Sequence, residues 1–367
     1  MNKKGFYVKD YLPLSAIIFF PLAIAAFVIQ RIAIANPAFA DSFNSSVGQA
    51  TRRFFSVLTN PVRFSVFEAL VILIPLFLAL IIALAVRGWK RFRKCKFILG
   101  LLAFIAFVYV LYTVTFGVAY RTTPIENKIG LEVGNVDKNE LYSATVTVID
   151  ELNAISDFVE RGNDGVSEMG FSMDELSKKI SKAYESLSDS YGLFPVFQSR
   201  AKPIHFSSVM SRLRITGIYT FYTGESNINM SYPDYNLPFT VAHEFAHQRG
   251  ILREDEANFV AFLVCAASED IYVRYSGYLN MYEYLISALY KTDKELYKAA
   301  YAALDKRCLA DIRSAYEVTE RYGNSIVGDI SDSVNDFYLK QNGTAGVIEY
   351  GRVTRLTVAY YADKAKQ

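Results

Sequence analysis

The chain has 367 residues, a formal net charge of +2 and 52% hydrophobic residues, with 27 Phe and 26 Tyr. That length suits about two domains, the hydropathy is too high for an ordinary soluble protein, and so balanced a charge excludes nucleic acid as a partner. Cys95, Cys265 and Cys308 have neither zinc-ribbon nor disulfide-scaffold spacing; a Cys265–Cys308 bridge stays open, because spacing does not fix connectivity.

The apolar excess is concentrated in three runs, residues 12–29, 66–86 and 97–119. Each matches the roughly 20 residues a helix needs to cross about 30 Å of hydrocarbon, and Glu68 near an end and Pro75 as a kink are tolerable there. Residues 1–121 therefore read as a membrane anchor and residues 122–367 as a water-soluble domain. The Lys/Arg bias of short loops sets the orientation. Arg87, Lys90, Arg91, Arg93, Lys94 and Lys96 link the second and third runs, with Lys3, Lys4 and Lys9 on the same side. That side is expected to be the cytoplasm. Three crossings then give a multi-pass protein of the cytoplasmic membrane, embedded in the lipid bilayer, with its large domain on the extracytoplasmic side. The Lys-rich start and Ala38-Phe39-Ala40 before Asp41 also suit a cleavable signal. The length of the first run and Arg31 favour a retained anchor, and either leaves the domain outside. Residues 41–63, with Phe54, Phe55, Val57 and Leu58 beside Arg52 and Arg53, suit a helix lying at the membrane surface or an exposed loop.

Past the third run, residues 139–160 and 173–191 carry apolar positions at helical spacing. Ser172 and Glu175 form a capping-box signal for the second of these helices. Residues 204–230 change character: Ile215-Thr-Gly-Ile-Tyr-Thr-Phe-Tyr222 is β-branched and aromatic, Thr223-Gly224 turns, and Asn227-Ile-Asn-Met230 follows. This predicts a hairpin or small antiparallel sheet. Pro233, Asn236 and Pro238 lead into a helix start, and helices dominate from Glu254 onward. The expected class is α+β, mostly α: three transmembrane helices, then a domain with one small antiparallel sheet and a helical carboxyl-terminal half.

The chemistry is concentrated in Thr240-Val-Ala-His243-Glu244-Phe-Ala-His247-Gln-Arg-Gly250-Ile-Leu-Arg-Glu254-Asp255-Glu256-Ala-Asn258. On a helix, His243 and His247 stand one turn apart on the same side. Two imidazoles so placed can share a tetrahedral Zn2+ at about 2.0–2.1 Å each. Glu244, rotated by about 100°, can take a proton from the water that such a metal acidifies. A zinc site needs a third protein ligand. Gly250 can end the first helix in a left-handed conformation, and a second helix can begin on the acidic Glu254-Asp255-Glu256. Glu254 and Asn258 then share a face, which favours Glu254 as ligand with Asn258 hydrogen-bonding a ligand. Glu256, about 200° away round the helix, is the alternative. Asp255 reads as a solvated charge and Cys265 as a core residue. The bland reading, a pair of packed helix histidines, is disfavoured by this acidic continuation.

These residues resemble the zincin superfamily of metallopeptidases in its glutamate-liganded (gluzincin) branch. The whole arrangement resembles a bacterial membrane family of unknown function, in which transmembrane helices precede an extracytoplasmic domain carrying HExxHQxG followed by Glu-Asp-Glu-Ala-Asn. The likeness covers most of the chain, with residues 217–258 its most specific part. It implies a zinc-dependent peptidase acting on a peptide or protein, with His243, His247 and Glu254 as metal ligands, Glu244 as general base and Asn258 supporting a ligand. The third ligand lies closer than in long-known gluzincins, and Arg253 at the metzincin position excludes that branch. In zincins an edge strand before the motif helix pairs with the substrate; residues 220–229 match that place, and Tyr219, Phe221 and Tyr222 either line the cleft or fill the core. The oxyanion donor stays open among Tyr275, Arg274 and Tyr350, with His205 read as structural. The competing class is a zinc-containing membrane receptor or sensor without turnover, against which the intact Glu244 argues.

Overall fold

A computed structural model describes residues 12–87, 91–323, 325–342 and 350–366. Of the basic flanks, Lys3, Lys4, Lys9 and Lys90 lie outside the described residues, as do the side chains of Arg91, Arg93 and Tyr350. Helix α1 (Leu14–Ala35) leads into α2 (Pro37–Phe43), a π-helical turn at Asn44–Gly48 and α3 (Gln49–Thr59). Helices α4 (Val66–Arg87) and α5 (Arg91–Tyr112) follow, α5 continuing through a second π turn at Thr113–Gly117. Among the described residues, three helices are long and apolar enough to cross a membrane: α1, α4 and the run Lys94–Arg121.

Small residues set the α1–α5 contact. Ala16, Ala26, Ala33, Ala103 and Ala106 are all buried, which lets two apolar helices approach closely where water exclusion gives no drive. Phe19 meets Phe107 at 5.1 Å between ring centroids, and Ala33 packs with Val118. Positions advance together along both helices, so the two run parallel. Helix α4 buries none of its residues among those described.

Residues 41–59 form helix rather than loop. Phe54, Val57 and Leu58 stay exposed, whereas Arg52 is wholly buried. Its guanidinium donates to the Thr115 carbonyl (2.8 Å), Asn44 Oδ1 (2.7 Å) and Gln49 Oε1 (3.1 Å). It thereby ties together the two π turns, whose widened geometry disturbs the regular carbonyl ladder.

The rest of the chain comprises α6 (Ile125–Ile129), α7 (Lys138–Ser156), α8 (Met173–Tyr191), β1 (Ala201–Ile204), α9 (Ser207–Arg212), β2 (Gly217–Thr220), β3 (Glu225–Asn229), α10 (Asn236–Gln248) and α11 (Glu254–Ala266). Helices α12 (Ile271–Thr292), α13 (Lys294–Ala303), α14 (Lys306–Gly323), α15 (Ile326–Gln341) and α16 (Tyr350–Lys364) complete it. Ser172 and Glu175 cap α8 reciprocally. Helix α11 is the axis of the core: Phe259, Val260, Ala261, Phe262 and Val264 are wholly buried, and a helix apolar on every side belongs inside. Cys265 and Cys308 are both buried free thiols.

The sheet corrects the expectation of an antiparallel one. Its order is β1-β3-β2, with β2 antiparallel to β3 but β1 parallel to it, Ile204 opposite Asn229. Helix α9 supplies the crossover that a parallel pair requires. The edge assignment changes as well: β3 is the central strand, so the edge on this side is β2, not residues 220–229.

Candidate metal centre

Helix α10 starts with Pro238 in its first turn, where a missing N–H costs nothing, and buries nearly all of its residues. It stops at Gly250, which adopts φ +89°; the Ile251 N–H closes the end on the Ala246 carbonyl at 3.0 Å. A β-carbon at 250 would run into the Arg52 and Asn44 side chains, and Asn44 Nδ2 donates to the Gly250 carbonyl at 3.1 Å. Gln248 Nε2 donates to Ser56 Oγ (2.9 Å) and to the Gly224 carbonyl (2.7 Å). The Gln and the Gly that follow the second histidine thus seat the end of the motif helix on residues 44–56.

The turn from Gly250 to Arg253 swings α11 so that its first residue faces α10. His243 Nε2 lies 3.2 Å from Glu254 Oε2, and His247 Nε2 lies 3.6 Å from Glu254 Oε1. One ligand atom from each of the three lies within 4.8 Å of the others. Ligand bonds of about 2.0–2.1 Å in a tetrahedron place ligand atoms about 3.3 Å apart, so the trio fits one such ion with little adjustment. His247 Nδ1 lies 2.8 Å from the Ile251 carbonyl. A carbonyl only accepts, so the proton sits on Nδ1 and the Nε2 lone pair faces the cluster. Asn258 stands against His243 and interacts with its ring, while His243 Nδ1 has no hydrogen-bond partner among the described residues.

Burial sets the electrostatics. It pushes His247 down to about 4 and keeps that ring neutral. For His243 burial acts in the same direction, but the hydrogen bond and charge of Glu254 outweigh it and raise the pKa. Glu254 is held down to about 2, because the two imidazoles outweigh its burial. An anionic carboxylate held between two imidazoles, its side chain 32% exposed, is a place for a cation.

Glu244 is different. Burial, helped by the charge of Glu254, pushes its carboxyl up to about 8. One oxygen has the Tyr219 backbone N–H as donor; the other, Oε2, is buried and has no partner among the described residues. Gly217 lets edge strand β2 pass this close, because a β-carbon there would come within 2.6 Å of Glu244 Oε1.

Other sequence candidates lie elsewhere. Glu256 Oε1 accepts from Arg253 Nη1 (2.6 Å) and the Ile125 N–H (3.2 Å), turned away from the histidines. Asp255 is not a solvated charge: it is buried and paired with Arg352, because α16 covers the start of α11. Tyr275 donates to Asp311 and accepts from Arg161 at 3.0 Å, Arg274 donates to the Ser268 carbonyl, and the His205 N–H donates to Glu68. None of these three lines the cleft that holds the centre.

That cleft has a volume of about 710 Å³. Tyr219, Phe221 and Tyr222 all line it, Tyr219 being also buried and stacked on Phe116 at 5.6 Å. Asn280 and Tyr284 of α12 line it too; their one-turn spacing was the only signal of this in the sequence. So do Phe67, Tyr112 and Phe116 from the apolar helices, and Ser331, Asn335 and Tyr338 from α15.

No curated protein and no solved structure matches the chain. A family model described as "Protein of unknown function (DUF3810)" matches residues 43–358, from the end of α2 into α16 and across the whole candidate centre. The chain belongs to that family.

Proposed function

We propose that the chain is a membrane-anchored zinc-dependent peptidase. In this reading α1, α4 and α5 cross the cytoplasmic membrane, and residues 122–367 lie on its outer side. The observation that carries it is the convergence of His243, His247 and Glu254 within reach of one ion, beside a buried Glu244 whose Oε2 has no partner among the described residues.

When bound, zinc supplies Lewis acidity, lowering the pKa of water and polarising a scissile carbonyl. The residues do the rest. Glu244 Oε2 accepts the proton of the attacking water and hands it to the leaving amine, while the Tyr219 N–H fixes the other oxygen. The Ile251 carbonyl orients His247, and Asn258 steadies His243. The main chain of β2, at the sheet edge and lining the cleft, offers hydrogen bonds to an extended peptide. A zinc-containing receptor without turnover has no use for a buried carboxylate with one oxygen left open at this position, so that alternative is disfavoured.

Metal analysis of the purified full-length protein, with hydrolysis of a peptide library, tests the reading. We expect zinc bound one-to-one, and Glu244→Gln to retain the metal and lose turnover. Equal turnover in both proteins, or a wild-type protein that binds no zinc, overturns it.

A further inference from the structure

Helix α15 carries an apolar stripe open to the surroundings. Ile326, Ile330, Val334 and Phe337 are 81%, 58%, 61% and 64% exposed. Its acidic residues are paired, Asp329 and Asp332 both with Arg214 and Asp336 with Lys340. Both ends of α15 are tied to the outer ends of apolar helices. At the carboxyl end, the Tyr112 hydroxyl donates to Asn342 Oδ1 at 2.7 Å, and the Tyr338 and Tyr112 rings lie 6.4 Å apart. At the amino end, Ser325 Oγ donates to the Arg212 carbonyl of α9 at 2.7 Å. The chain entering α9 is held by Glu68 of α4, which accepts the His205 and Phe206 N–H groups at 3.0 and 2.8 Å.

The level of these ties follows from helix rise. Counting from Lys96 at 1.5 Å per residue, about 30 Å of hydrocarbon ends near Phe116. Tyr112 thus sits at the boundary where tyrosines concentrate in membrane proteins, and Glu68 is in the first turn of α4. A helix strung between those two points lies along the membrane plane.

We infer that α15 lies in the outer leaflet of the bilayer with its apolar stripe in lipid, while its next face, rotated by about 100°, walls the cleft through Ser331, Asn335 and Tyr338. The cleft therefore opens at the membrane surface. Resting on the peptidase reading, this names the substrate class: a polypeptide segment next to its own membrane anchor, laid against β2 from the lipid side. A freely diffusing peptide has no such guide.

The test uses full-length protein in phosphatidylcholine liposomes with the single tryptophan removed as Trp89→Phe. Val334→Trp and, separately, Phe337→Trp report the contact, with Leu78→Trp inside α4 as the deep reference. Lipids brominated near the headgroup should quench both α15 probes about twofold or more, with blue-shifted emission. Water-like, unquenched emission from both α15 probes overturns the membrane contact. A fluorogenic random peptide library is then offered either free or carried on a synthetic transmembrane helix. The anchored library should be cut about tenfold faster or more at equal bulk concentration. Ile330→Asp with Val334→Asp should abolish that advantage while leaving the free library unaffected. An advantage that survives the double variant, or equal rates for the two libraries, overturns the substrate class. Failure to cut either one overturns the peptidase reading itself, while the quenching still decides the lipid contact on its own.

Discussion

Gly217 stands directly over Glu244: its missing side chain is what lets the edge strand lie against the carboxylate, 2.6 Å from where a β-carbon would be. Thr240 crowds the same point at 2.8 Å, so the Glu244 carboxylate, the far end of a flexible side chain, is the group that gives way. Gly217→Ala should therefore displace the carboxylate from its donor at Tyr219 while leaving the metal ligands in place. A displacement of about 1 Å at a reacting group costs about a hundredfold in rate. The expected outcome is a loss of that order in kcat with unchanged zinc content; a variant of normal kcat removes Glu244 from the chemistry.

Glu254 and Glu256 separate two roles that lie two residues apart. Glu254→Ala should weaken zinc binding by more than about a hundredfold, since loss of a partner that merely supports a ligand already costs about 10–100-fold. Glu256→Ala should leave zinc affinity nearly unchanged and instead destabilise the fold. It takes the carboxylate from Arg253 and the acceptor from the Ile125 N–H at the base of α11, and breaking a buried ion pair costs about 3–5 kcal/mol. Competition with a zinc chelator and denaturant titration read the two effects; the reverse order reassigns the ligand.

The local part of this architecture was legible in the sequence. The spacing of His243, Glu244 and His247 and of Glu254 and Asn258 is a property of single helices, and α8 matches its capping box and apolar period over Met173–Tyr191. What sequence reading missed depends on distant partners. Asp255 is indistinguishable from a solvated acid until α16 brings Arg352 against it. β1 is a bare Ala-Lys-Pro-Ile, and only its pairing with β3 makes it a strand. Tyr338 and Asn335 reach the cleft from about 90 residues beyond the motif, carried by a helix whose apolar stripe was not distinguished from ordinary packing.

Hydrogen bonds cross between the two segments that meet at residue 122. Lys202 Nζ donates to the Thr59 and Val62 carbonyls, Ser65 Oγ lies 2.6 Å from Asn227 Oδ1, and Glu225 accepts the Val66 and Phe67 N–H groups at 3.0 and 2.9 Å. Gln248 and Gly250 depend on Ser56 and Asn44 in the same way. Each buried polar group left unsatisfied costs about 1–3 kcal/mol, so losing all of them cancels a typical stability of about 5–15 kcal/mol. A fragment of residues 122–367 should lack a cooperative thermal transition and bind zinc poorly. A chain starting at residue 37 with α4 and α5 intact should keep both properties, and a stable 122–367 fragment disproves the coupling.

Glu283 offers a test that is independent of the metal. Burial pushes its carboxyl from 4.5 up to about 7, against the hydrogen bond from Tyr235, whose hydroxyl lies 3.1 Å from Oε1. The folded protein therefore binds this proton more tightly than the unfolded chain does. The stabilising contribution is complete below pH 4.5 and is lost as pH rises through about 7. A shift of that size corresponds to about 3 kcal/mol. Glu283→Gln mimics the protonated carboxyl, so it should match the wild-type protein at acidic pH and exceed it by about that amount at pH 8, in denaturant titrations on apo protein. If the stability difference between the two proteins does not change with pH, Glu283 does not hold a proton in the folded state.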